Sequence, residues 1–156
     1  MFDRRLHIAV QSDDFDPQAV QERLTGGRTD VGAVCAFTGL CRSENDTLTA
    51  LELEHYPGMA EAKLEETARA ALARWPLDAM AVIHRHGMIR PGERIVFVAA
   101  TSRHRDAAFE ACRFVMDFLK TDAPFWKKEH RADGADGRWV DARDGDDEAR
   151  SRWLGS

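Results

Sequence analysis

Cysteine is scarce in this sequence, and the three present, Cys35, Cys41 and Cys112, contain no CxxC pair. An odd number without that spacing argues against a disulfide framework and against a thiolate zinc site. Excess positive charge is also missing. Lys plus Arg is 22 against 27 for Asp plus Glu, a formal net charge of -5, so there is no general electrostatic case for nucleic acid and any anion site must be local. No stretch approaches the roughly 18 apolar residues of a membrane span. The opening MFDRRLHIAV has too short an apolar run for a signal peptide, so the chain is expected to be cytoplasmic, with no membrane partner. Repeats, low-complexity blocks and linkers are absent too. With 156 residues and 44% hydrophobic content, one domain over residues 1–156 is expected, its last stretch from about 143 a charged, frayed tail except where Trp153 finds a groove. The phosphate loop GxxxxGK[ST], the dinucleotide motif GxGxxG and the nucleophile elbow GxSxG do not occur.

What the chain does have is a dense group of cations around one amphipathic segment, Thr101 to Glu129. Ala108, Phe109, Cys112, Val115, Met116 and Leu119 fall at the three-and-four spacing of one helix face. Ser102 or Asp106 can cap its first turn, and Pro124 disfavours a helical Ala123, so the helix is expected to stop near Thr121. Arg103, His104 and Arg105 precede it; Lys120, Lys127 and Lys128 follow, with Phe125 and Trp126 between the lysines. Free N–H groups at the helix start add to the pull on an anion, which suits a phosphate or carboxylate on a small molecule.

The remaining elements follow from periodicity and punctuation. Arg4 to Gln11 alternates as a strand. Asp16-Pro17 opens a helix that ends at Gly26-Gly27, and Asp30 to Cys41 is small, apolar and β-branched, hence a largely buried strand that delivers Arg42 to its end. Leu48 to Tyr56 alternates as a third strand, joined to the second across the polar SENDT loop as a long hairpin with a mobile tip. Pro57-Gly58 opens a helix that stops at Trp75-Pro76. Ala79 to His86 and Arg94 to Ala100 are strands on either side of an Arg90–Glu93 turn. Trp126 to His130 and Arg138 to Ala142 make a last pair across ADGADG. The order is α+β: a mostly antiparallel sheet with packed helices and a small β subdomain.

Among the ordinary chemistries, His84 and His86 share a strand face, but without acidic or cysteine partners they make a weak metal site, and no metal or cofactor is assigned. His55 is expected as a satisfied histidine at a strand end. Carboxylate pairs such as Glu65-Glu66 sit on solvent faces, where a hydrolytic acid and base would not be placed.

Long segments in order, AFTGLCR, LELEHYPGM, RWPL, VIHRHG, PGERIVFVAATSRHR, AFEACRFVMDFLKTDAPFWKKE and RWVDAR, together resemble the MoaE family, the large catalytic subunits of molybdopterin synthase, from Val31 to Trp153. The resemblance implies an α/β hammerhead fold and a central homodimer with a small ubiquitin-like, MoaD-like sulfur carrier at each outer end. It implies sulfur transfer from that partner's C-terminal thiocarboxylate to cyclic pyranopterin monophosphate, forming molybdopterin. It also places Leu40, Cys41, Arg42, His104, Arg105, Lys120, Lys127, Lys128 and Glu129 at the family's substrate-binding positions, with Lys120 and Lys127 catalytic. A lysine crowded by cations can transfer protons, and two arginines suit a cyclic phosphate. Two rival readings remain: a phosphometabolite-binding sensor without catalysis, and a sulfurtransferase carrying a persulfide on Cys41.

Overall fold

The apolar runs AMAVI and IVFVAA need cover on both faces, and the fold supplies it. The computed structural model describes residues 4–122, 124–132, 138–140 and 150–154. β4 (Leu77–Arg85) and β6 (Arg94–Ser102), which carry these runs, lie in the middle of a four-stranded sheet. β1 (Leu6–Gln11) and β2 (Ala33–Leu40) form its edges, in the order β1-β4-β6-β2. β1 runs parallel to β4, whereas the β4–β6 and β2–β6 pairs are antiparallel.

Strand alternation then sorts the core. Met80, Val82, Val98 and Ala100 pack with α2 (Met59–Arg74) and α3 (Arg105–Asp122) through Leu64, Ala68, Ala111 and Val115. Their neighbours Ala81, Ile83, Phe97 and Ala99 meet Phe15 and Val20 on the other face, under α1 (Pro17–Thr25). The helix ends follow local chemistry. The Asp16 carboxylate accepts from the Gln18 and Ala19 N–H groups, Pro17 takes the first helical position, and Gly26 closes α1 at φ 53°. The Glu61 carboxylate accepts from the Gly58 N–H at 2.6 Å to start α2. α3 begins at Arg105, and the Ser102 hydroxyl accepts from the His104 N–H just before it.

A second sheet has the order β5-β3-β7-β8, all antiparallel, from β3 (Leu48–His55), β5 (Gly87–Ile89), β7 (Phe125–Arg131) and β8 (Arg138–Val140). Leu51, Leu53, Ile89 and Cys41 form its apolar seam, and Ile95 packs against both this seam and the main core. The mixed α+β arrangement with a small β unit is as expected.

Two expectations are corrected. The second and third strands do not form a hairpin: β2 pairs with β6 in the first sheet and β3 with β5 and β7 in the second. A 3-10 turn, Glu44–Asp46, carries the chain between sheets, with Asn45 and Asp46 at positive φ and the Ser43 hydroxyl accepting from the Leu48 N–H. β2 is not a buried strand either, because it lies at an edge; Val34, Phe37 and Leu40 are 40%, 42% and 56% exposed. The short β5 was not anticipated, and most of the ADGADG turn lies outside the described residues. Trp153, in a helical turn of residues 150–154, is buried against Trp75 and Phe114 and donates its indole N–H to Asp117 at 2.6 Å. Among the described residues, no helix is long and apolar enough to cross a membrane.

Candidate functional site

The topology divides the expected residues between two ends of the first sheet. β2 runs antiparallel to β6, with Ala33 opposite Ser102 and Leu40 opposite Arg94, and His84 near the end of β4 lies opposite Val96. α3 leaves the end of β6 and runs back over the sheet. Its last turn, with Lys120, therefore returns to the end where β2 delivers Arg42 and β4 delivers His84. His104 and Arg105 stay at the opposite end. At about 1.5 Å per residue, Arg105 and Lys120 are about 22 Å apart along the helix axis, farther than their side chains can bridge. One chain does not gather all the expected cations.

β7 divides the rest. Lys127 lies opposite Leu53, on the same face as Phe125 and Glu129, whereas Lys128 lies opposite Glu52 on the other face with Trp126 and His130. Lys127 therefore sits over the apolar seam of Leu53, Ile89 and Cys41. Lys128 belongs to the outer surface, where His130 contacts Glu52 at 2.9 Å and Trp126 meets Tyr56 edge to face. Glu129 is engaged by Arg131, whose Nε and Nη2 both donate to Oε2.

Beside the lysines lies an aromatic stack. The His84 ring packs face to face on Phe125, with centroids 3.8 Å apart and planes at 14°. His55 contacts Phe125 at 6.1 Å and His86 at 4.3 Å. His84 Nδ1 lies 2.8 Å from the Arg85 carbonyl oxygen, a contact that makes Nδ1 the protonated nitrogen. Burial, and then electrostatic repulsion from Lys127 and Lys120 with a smaller influence of His55, lower the His84 pKa to about 4, although the bond to the Arg85 carbonyl works the other way. This lowering ties both lysines electrostatically to one imidazole. His84 and Phe125 are not among the site residues expected from the sequence; the usable signal was Phe125 two positions before Lys127 on one strand face.

Cys41 is only 3% exposed, its thiol directed at the Ile89 carbonyl oxygen and its backbone paired with Gly92 and Glu93. Burial and, secondarily, Glu93 raise its pKa, with Lys127 acting in the opposite sense. Such a thiol is a poor nucleophile. Leu40 and Arg42, on either side of it, are exposed. The end of the sheet thus offers cations from α3, β7 and the segment after β2 over an apolar floor, next to a neutral imidazole. That arrangement can hold a phosphorylated, partly aromatic small molecule and move protons on it.

The MoaE protein family model matches residues 10–122. The chain is 59% identical over 149 residues to the molybdopterin synthase catalytic subunit of Mesorhizobium japonicum, covering 96% of this chain and 94% of that one. It is 56% identical over 148 residues to the protein of the same name from Brucella melitensis, covering 95% and 91%. Among solved structures, the molybdopterin biosynthesis MoaE protein from Burkholderia ambifaria superposes with a TM-score of 0.81 at 47% identity, covering 96% of this chain and 98% of that one. A family match over most of the chain, close relatives along nearly its full length and a shared fold agree: the chain belongs to the MoaE family.

Proposed function

We propose that the chain is the catalytic subunit of a molybdopterin synthase, moving sulfur from the C-terminal thiocarboxylate of a small ubiquitin-like partner onto cyclic pyranopterin monophosphate. The observation that carries this is the approach of Lys120 and Lys127 to a single end of the sheet, in a chain 59% identical to a molybdopterin synthase catalytic subunit. Each transfer exchanges one thiocarboxylate sulfur for an oxygen and leaves the partner's C-terminus as a carboxylate, so the net reaction needs no oxidant or reductant. It does need protons moved as the cyclic phosphate opens. Lys120 does this, Lys127 holds the anionic substrate or the partner's terminal carboxyl, and Arg42 and Leu40 line the phosphate side.

His104 and Arg105 enter from a second copy of the chain. In a two-fold dimer that pairs the open β2 edges antiparallel, the Ala33 end of one strand faces the Leu40 end of the other. The His104–Arg105 corner of one copy then adjoins the Arg42 end of the second. The exposed Val34, Phe37 and Leu40 give that edge an apolar surface to bury. The compartment that fits is the cytoplasm.

The buried, protonated thiol of Cys41 disfavours the persulfide alternative. The test is single-turnover molybdopterin formation from the pterin monophosphate and thiocarboxylated partner, run on the unmodified protein, Lys120→Ala, Lys120→Arg and Cys41→Ser. Product should vanish with Lys120→Ala, recover little with Lys120→Arg because a guanidinium does not give up its proton, and persist with Cys41→Ser. No product from the unmodified protein with its cognate partner would leave a sensor role; activity lost with Cys41 but kept without Lys120 would assign the sulfur to the thiol.

A further inference from the structure

His84 lies at the lysine end of the sheet, and its surroundings fix both its orientation and its proton. One ring face lies on Phe125 at 3.8 Å, and Nδ1–H is committed to the Arg85 carbonyl oxygen at 2.8 Å. The remaining nitrogen, Nε2, therefore carries a lone pair on the ring edge opposite Nδ1. Phe125 and Lys127 are next neighbours on one face of β7, and the last turn of α3 carries Lys120 to the same end of the sheet, so that the charges of both lysines act on the ring. The titratable groups around the ring are His55 on β3, Lys127 on β7, Lys120 on α3 and, beyond His55, His86.

We propose that His84 is a positioning residue for the lysine pair: its fixed, unprotonated Nε2 accepts a hydrogen bond from a lysine ammonium and holds that nitrogen toward the substrate. A lysine has many rotamers, and an acceptor on a clamped ring reduces them to the one that reaches the reacting atoms. Because the ring stays neutral in the near-neutral range, it gives this bond without repelling an anionic substrate's counter-charges or competing for the proton. The inference rests on the assignment of Lys120 and Lys127 as the reacting pair.

The experiment compares His84→Phe, which keeps a flat ring for Phe125 but has no nitrogen, with His84→Gln, whose amide oxygen can stand near the Nε2 position. Both are run with Lys120→Ala and Lys127→Ala in single-turnover molybdopterin formation with thiocarboxylated partner, between pH 6 and pH 9, and each variant is melted. His84→Phe should lose about tenfold or more in rate with a near-normal melting temperature. Its lysine-dependent limb should also move to lower pH, because the ammonium has lost its acceptor; His84→Gln should recover part of both. A His84→Phe protein with the normal rate and limb overturns the inference while leaving the lysine reading intact. A rate loss that follows the melting temperature and that Gln does not recover assigns His84 to packing alone. If Lys120→Ala and Lys127→Ala both turn over normally, the lysine reading and the inference fall together.

Discussion

A guanidinium in a protein interior is tolerated only when its hydrogens are matched, and Arg85, 6% exposed, is matched by backbone alone among the described residues. Nε and Nη2 donate to the Ser12 carbonyl oxygen and Nη1 donates to that of Arg94, so one side chain ties the chain leaving β1 to the start of β6. Arg85→Met should cost about 1–3 kcal/mol in a urea melt, since it strands two carbonyl groups. Arg85→Lys should recover little of this, because a single ammonium cannot reproduce the fork. The neighbouring His84 sets an acid limit. Its pKa is about 4 in the folded chain and near 6.5 when unfolded, so below pH 6.5 the unfolded state binds the extra proton and stability falls progressively toward pH 4. His7 and His86 are lowered in the same direction, chiefly by burial, and add to the slope. Thermal melts from pH 7 to pH 4 should show this loss, and His84→Phe should flatten it.

At the scale of elements, the close approach of β2 to the β6–α3 corner explains a glycine. A Cβ on Gly32 would stand 2.0 Å from the Arg103 carbonyl oxygen, and the Gly32 N–H already donates to Ser102 at 3.0 Å. Gly32→Ala should therefore displace the corner bearing His104 and Arg105. Calorimetric titration with the pterin monophosphate should show weakened binding, accompanied by a lower melting temperature. The helices were legible from the sequence because their signals are local: Asp16-Pro17, Gly26 and the spaced apolar face of α3, from which Phe109 departs by lying 61% exposed. The two-sheet division was not. Leu48 to His55 alternates equally well for a hairpin with β2 or for a place between β5 and β7, and only long-range pairing decides between them. The same limit governed the site. The cations were visible as a group in the sequence, but their separation along a rigid helix and across the two faces of β7 became visible only with the elements in place. β2 was misjudged for a related reason: its small apolar residues fit a central strand, yet its open edge leaves Phe37 and Leu40 exposed.

At the scale of the whole molecule, the β2 edge is where a second copy is expected to add. On the proposed dimer, Phe37→Asp should shift light-scattering mass toward monomer and reduce turnover through the loss of His104 and Arg105 from the proposed shared site, while far-ultraviolet circular dichroism remains unchanged. The closing turn of the chain has a different consequence. Trp153 stands edge-on to Trp75 at 5.7 Å and to Phe114 at 5.6 Å, Arg74 lies over all three rings, and Arg150 pairs with Asp122 two residues beyond Lys120. Two indoles so close, at 89° and beside a fixed cation, form a chiral chromophore pair whose near-ultraviolet dichroism depends on that packing. The molecule thus contains its own optical gauge: loosening the last helical turn should weaken the near-ultraviolet dichroism of this pair, and Trp153→Phe should abolish that component.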